Sequence, residues 1–397
     1  PTTIREKDLR EDGCDIQGID WTKLGIRRKQ AREEKSMHFI NGSRQTAWYR
    51  STPPINQVLA ENKSGFLKFR RMNTGQRPYI NHYQLRNALA VTSNSDIYYA
   101  RKHQIYHTDP TGQREDLVVD FTVSQDESIN APRWIDITSI AAVPNVLLTG
   151  GFCGDYSITN LASTLPTGHT TTGMLSPNSN PATNNAIVNF IDIFHSRRSS
   201  SPTAAIGSND CAVRILDCAT NTITDRFDYP VAVNCVATSP SGRLRCLATD
   251  VHPPSVQSSA VITDAESGKP LQILDGHRSE AFACAWADNE IHVATGAQDS
   301  FVRVYDARWW KQPLVKICTN MAPASVLKFS PGETGKRVLL VAEAADYLEI
   351  VDAESWDQKQ TVDFFGRPAG IGWCPDGATF TVAVEDGVVG GLMQFGR

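Results

Sequence analysis

Four aspartates, Asp155, Asp210, Asp299 and Asp346, recur about once per 45–90 residues, each close behind a run of small or apolar residues. Repeated carboxylates could ligate a metal. An aspartate at a tight β-turn also accepts backbone N–H groups and fixes the turn, and the regular recurrence favours that structural role. His103 and His107 have the spacing of a helical zinc pair, yet the residues around them alternate as a strand does and no third ligand accompanies them. The nine cysteines are scattered singly, with no C-x-x-C pair, as buried free thiols of a reducing compartment are. Gly335-Lys336 lacks the upstream glycine of a phosphate-binding loop, and G-x-S-x-G, H-E-x-x-H and a strand followed by G-x-G-x-x-G are absent. The sequence therefore predicts no catalytic residue, no metal ligand and no cofactor, and the chain is expected not to be an enzyme.

Charge narrows the partners. The 397 residues carry 39 Lys and Arg against 43 Asp and Glu, a net charge of −4, so the molecule as a whole is no polyanion binder. Basic residues concentrate in Lys23–Lys35, at positions 27, 28, 29, 32 and 35, where Glu33 and Glu34 dilute them. Such a stretch could contact RNA or the ribosome, dock as a helix, or stay solvated; with few aromatics interleaved, nucleic acid is the least favoured. No run approaches 18 consecutive apolar residues and no secretory signal opens the chain, so a cytosolic or nuclear protein without a membrane contact is expected.

The elements that must position these residues form a repeat. Val213–Asp217, Ala260–Asp264, Val302–Asp306 and Leu348–Asp352 are short alternating strands ending in aspartate, spaced by 47, 42 and 46 residues. Each repeat also holds an apolar strand running into a Ser-Pro-type turn, as in Leu327-Lys-Phe-Ser-Pro-Gly332, and a second apolar strand running through small residues to aspartate, as in 292–299. A four-stranded unit of about 45 residues fits seven times between Arg86 and Arg397. The last unit shows three strands, and Gly65–Met72 is the candidate for its missing outer strand, which would close a ring and remove sheet edges. The expected organisation is an N-terminal extension over 1–64, partly helical, and an all-β propeller of seven blades over 65–397, with 162–186 as a mobile surface loop.

These repeats resemble the WD40 family. The fullest match runs from Leu274-Asp-Gly-His277 through Ala294-Thr-Gly-Ala-Gln-Asp299 to Val302-Arg-Val-Tyr-Asp306. The resemblance implies a seven-bladed β-propeller and a buried hydrogen-bond relay of His277, Thr295, Asp299 and Tyr305, tyrosine standing where the family has tryptophan. Ser208–Arg214, Ala342–Tyr347 and the closing 363–371 and 395–397 segments are similar to a fungal and plant WD40 subfamily. It is related to substrate receptors of GID/CTLH-type ubiquitin ligases, and this likeness implies an adaptor or receptor role and ubiquitin ligase subunits as partners.

In a propeller the loops ahead of each inner strand and those joining second to third strands gather at one mouth of the channel. There the sequence places Arg133, Trp134, Phe152, Asn209, Asp250, Glu280, Phe282, Gln298, Glu343 and Arg367, aromatic anchors mixed with charged groups as at interface centres. Asp250, Glu280 and Glu343 would make an acidic pocket for a cationic peptide end such as a free N-terminal amine. The expected protein is a monomeric scaffold that binds proteins or peptides; the alternative is an RNA- or ribosome-associated scaffold using the basic segment.

Overall fold

Short β-branched and apolar runs, cut by Gly, Pro, Asn and Asp, fold in the computed structural model into seven sheets of largely antiparallel strands. The described residues are 3–11, 14–42, 59–122, 135–162, 169–176, 185–197, 200–251, 259–332 and 335–397. From channel to periphery, blade I holds Leu89–Val91, Ile97–Arg101, Gln104–Thr108 and Glu115–Asp120. Blade II holds Ile137–Val143, Val146–Gly151, Asp155–Asn160 and His169–Met174. Blade III comprises Val188–His195, Pro202–Ser208, Ala212–Asp217 and Thr222–Asp228. Blade IV has Val233–Thr238, Leu244–Thr249, Ala260–Asp264 and Pro270–Ile273; blade V has Ala281–Trp286, His292–Ala297, Phe301–Asp306 and Val315–Cys318. Ala324–Phe329, Val338–Glu343, Tyr347–Asp352 and Gln358–Asp363 form blade VI. Blade VII has Arg367–Trp373, Thr379–Glu385 and Gly391–Gly396 from the chain end. The first strand of each blade packs against the first strands of its two neighbours, and blade VII meets blade I, so the sheets close into a seven-bladed β-propeller.

Closure uses the N-terminal part of the chain. Lys68–Asn73 pairs antiparallel with Gly391–Gly396, Met72 opposite Met393, and supplies the fourth strand of blade VII. Thr3–Arg5 pairs on its outer side, Ile4 opposite Met72. Ala60–Glu61 adds in parallel to the outer strand of blade VI. Ile4 and Met72 are buried in the same cluster as Phe364, Phe380 and Met393, and each such side chain contributes about 1.5–3 kcal/mol. The N-terminal region is thus partly woven into the last two blades, where the sequence suggested an extension outside the repeats. The stretch 162–186 likewise contains a strand: His169–Met174, polar but rich in β-branched threonine, pairs residue by residue with Asp155–Asn160 as the outer strand of blade II.

Two local devices shape the channel. The inner strands carry a β-bulge near their entrance that skips Thr138, Asn189, Asn234, Phe282, Ser325 and Ala369 in blades II to VII. A bulge re-aims one side chain and raises local twist. Three of the four polar skipped residues tie blades together: Thr138 Oγ1 donates to Val188 O (2.6 Å), Asn189 Nδ2 to Val233 O (3.0 Å) and Asn234 Nδ2 to Ala281 O (3.0 Å), whereas Ser325 Oγ donates to Ala342 O of its own blade (3.3 Å). Glycines in second strands permit the close approach of the next blade. A Cβ on Gly150 would lie 2.2 Å from Val188 Cγ1, and one on Gly207 2.8 Å from Val236 Cγ2.

Candidate partner-binding face

In blades II to VI the residue following the second strand is pinned to its own blade. Backbone N–H groups of Phe152, Asn209, Asp250, Gln298 and Ala344 donate to the carbonyls of Asp136, Ile187, Ala232, Glu280 and Pro323, at 2.8 to 3.2 Å. These five positions are therefore equivalent, and they ring one mouth of the channel. Phe152, Asn209, Asp250 and Gln298, all expected from sequence, lie there partly exposed, with Glu280 at the entrance to an inner strand and Phe282 on a bulge. The Phe152 ring lies 5.5 Å from that of His82, which stacks on the exposed Tyr83. Asn209 Nδ2 donates to Asn185 (2.6 Å), and Asp250 accepts from the bulge residue Asn234 (2.9 Å). Arg133 and Trp134 fall outside the described residues.

Glu343 does not belong to the rim. It is the last residue of its strand, one position before the rim site that Ala344 occupies, and one residue of register turns a side chain to the opposite face. Its carboxylate is fully buried and accepts the N–H groups of Asn320, Met321 (2.8 Å) and Ala322 (2.6 Å). Burial pushes it up to about 7, with the charge of Glu349 adding to the shift and the backbone bonds opposing it. The acidic pocket for a peptide amine thus loses its third member. Arg367 is exposed and pairs with Glu385.

The charge inside the mouth is of the opposite sign. A narrow cavity there, with free volume of about 10 Å³, is lined by Gln84, Arg86, Asn189, Phe190, Asn234 and Phe282, among others. Arg86 is 6% exposed. Its Nη1 reaches the carbonyls of His82 and Leu85 at 3.3 Å each, its Nε has no partner, and it forms no ion pair among the described residues. Burial, with the like charge of Arg367, lowers it to about 10, Glu385 partly offsetting. Sequence reading missed Arg86 because it precedes the first recognisable strand; a lone arginine there carries no signal of burial.

The basic N-terminal segment covers the same end of the molecule over blades VI and VII. Three helices occur in the described N-terminal region: α1 (Glu6–Glu11), α2 (Trp21–Leu24) and α3 (Arg28–Gly42). Asp20 caps α2 and Gly25 ends it in the left-handed conformation. Arg28, Arg32 and Lys35 fall at i, i+4 and i+7, one face of α3. That face docks: Arg28 pairs with Asp363, and the fully buried Asp346 receives Arg32 (2.6 Å) and Lys35 (2.7 Å). Arg32 also donates to Phe364 O (2.6 Å) and its guanidinium stands 4.1 Å from the centre of the Phe365 ring. Gln17 brackets Phe365, donating to its carbonyl (2.7 Å) and to Val389 O (3.1 Å). Among the described residues, α3 makes these contacts with blade VI and the segment leading into blade VII, and the rim positions 152, 209, 250 and 298 lie outside them.

The relay in blade V is real but rearranged. His277, fully buried, meets Thr295 Oγ1 through Nε2 (2.8 Å) and Asp299 through Nδ1 (3.2 Å). Tyr305 leaves it, donating to Asp275 O (3.1 Å): a phenol is longer than an indole and overshoots the threonine. Arg303 joins the relay at its aspartate end, with Nη1 at 2.6 Å from His277 Nδ1 and 3.0 Å from Asp299, and Nη2 donating to Gly276 O (2.6 Å). Burial, with the like charge of Arg303, holds His277 below its ordinary range, and the bond to Asp299 opposes that shift. Burial would raise Asp299, but His277 and Arg303 outweigh it and keep the carboxylate ionised. Blade III repeats the arginine–aspartate part: Arg214 is buried against Asp210 (2.5 Å) and Ser208 (2.9 Å). The recurrent aspartates Asp210, Asp299 and Asp346 thus bind arginine, and no group of three or more His, Cys, Asp or Glu able to hold a metal occurs among the described residues.

The family whose profile matches is the WD domain, G-beta repeat, over residues 268–306, which span the end of blade IV and the first three strands of blade V. That segment is thus similar to one WD40 repeat, and it sits in a closed ring of seven blades. Among solved structures, a chain in the "Crystal Structure of Mitotic Checkpoint Complex" is similar in fold, at a TM-score of 0.60 and 16% identity, over 87% of this chain and 95% of that one. No helix among the described residues is long and apolar enough to cross a membrane.

Proposed function

We propose that this chain is a non-catalytic adaptor or substrate receptor that holds a segment of a partner protein over the open mouth of blades I to V. The observation that carries the proposal is the ring of backbone-pinned positions. Phe152, Asn209, Asp250 and Gln298 present four different side chains on rigid mounts around Phe282, as a preorganised recognition surface does. The fold shared with a chain of a multi-protein complex fits such a role. The finer reading, a receptor of a multi-subunit ubiquitin ligase, rests on the subfamily likeness. The alternative of an RNA or ribosome scaffold is weakened because Arg28, Arg32 and Lys35 are engaged by the protein's own aspartates. Affinity purification with mass spectrometry tests it, comparing the natural chain with Phe152→Ala/Asn209→Ala and with Leu271→Ser on the outer strand of blade IV. Partners lost only with the rim variant support the proposal, and ligase subunits among the proteins retained support the finer one. Loss with Leu271→Ser alone, or release of all partners by nuclease, contradicts it.

A further inference from the structure

We infer that the channel mouth selects partners by a carboxylate, taken up by Arg86. The inference deepens the proposed function and rests on the same face. Arg86 is more than nine-tenths buried, lines the cavity, and keeps hydrogen-bonding capacity that the described residues leave unused: a partnerless Nε and two long bonds from a single Nη1. A buried charge without its counter-charge is costly, and a ligand that supplies the counter-charge recovers that cost. The acid whose charge it feels, Glu385, is engaged by Arg367. Geometry narrows the anion. Free volume of about 10 Å³ admits one water-sized group, so the tip of a carboxylate enters while the rest of the ligand stays outside. One guanidinium balances one carboxylate, whereas a phosphate dianion is bulkier and would be left with excess negative charge beside Glu385 and Asp250. Phe282 and Phe190 at the cavity wall, with Phe152, His82 and Tyr83 on the nearby rim, fit apolar residues flanking the acid. The carboxylate can come from an Asp or Glu side chain or from a free peptide C-terminus.

The test selects binders to the full chain from a display library of random nonapeptides and synthesises each with its Asp and Glu changed to Asn and Gln, with its C-terminus amidated, and unaltered. Fluorescence anisotropy should show affinity falling about tenfold or more when the decisive carboxylate is neutralised. Sensitivity to the side-chain change identifies an internal acid; sensitivity to amidation identifies a C-terminus. Arg86→Gln should bind altered and unaltered peptides alike, and Arg86→Lys should keep a weakened preference; the peptide-side changes remain decisive if either variant fails to fold. Binders lost on Phe282→Ala but indifferent to both neutralisations overturn the carboxylate inference and leave the binding face standing. Binders indifferent to Phe282→Ala as well overturn both.

Discussion

Replacing Arg32 by Met should loosen the N-terminal segment without unfolding the propeller. Arg32 makes a charged bond to a carboxylate with no solvent exposure, a second bond to Phe364 O and a stacking contact on Phe365. A charged hydrogen bond contributes about 1.5–3 kcal/mol and a cation over an aromatic face about 0.5–2 kcal/mol. Asp346 would keep Lys35 at 2.7 Å and Gly366 N–H at 2.9 Å, so its charge is not stranded and the loss belongs near the low end, about 3 kcal/mol. Opening of α3 should then become about 100-fold more frequent, since each 1.4 kcal/mol is a factor of ten. Hydrogen exchange read by mass spectrometry on residues 28–42 should show that rise, while Val338–Glu343 in blade VI exchanges as before. Lys35→Met, whose side chain is 41% exposed, should do far less. Unchanged exchange in α3, or an equal rise in blade VI, would refute the docking argument.

Other expectations concern the interior. Glu343, near 7 in the folded chain against 4.5 in its ordinary state, keeps a proton that the unfolded chain loses; stability should therefore fall as pH rises from 4.5 to 7, by about 3 kcal/mol in all. Urea titrations at pH 5 and pH 7.5 should show that fall flattened in Glu343→Gln; equal slopes would exclude Glu343 as its source. In blade V, Arg303→Met removes the cation paired with the buried Asp299 and should cost about 3–5 kcal/mol, more than His277→Ala at about 1–3 kcal/mol, which leaves that ion pair in place. The reverse order in chemical denaturation would mean that histidine is the main partner of Asp299. Gly150→Val should destabilise by about 1–3 kcal/mol or more through collision with Val188, and an unchanged melting temperature would show that the blades can part there.

What could be read from sequence, and what could not, divides along sequence distance. The four strands ending in aspartate and their Ser-Pro turns are local signals, and they sufficed for seven blades. The threonines of 169–174 are polar, so composition pointed to a loop although β-branching suits an outer strand. Rim positions 152, 209, 250 and 298 followed from the repeat, while Glu343 was misplaced by one residue, enough to turn it from rim to core. The periodic face of Arg28, Arg32 and Lys35 is visible in the chain, but Asp346 and Asp363, more than 300 residues away, are not assignable to it without the fold. Nor does a bulge announce itself in an apolar strand, so the aim of Asn189, Asn234 and Phe282 into the channel is a property of the folded blade and not of the local sequence.

The central claim, recognition through the open mouth of the propeller, is tested most directly by site-specific photo-crosslinking. A benzophenone amino acid placed at Phe152 should, on irradiation in cell extract, join the chain to a discrete partner, and the same group at the exposed Leu271 should give none. Crosslinks at Leu271 with none at Phe152 would contradict the account.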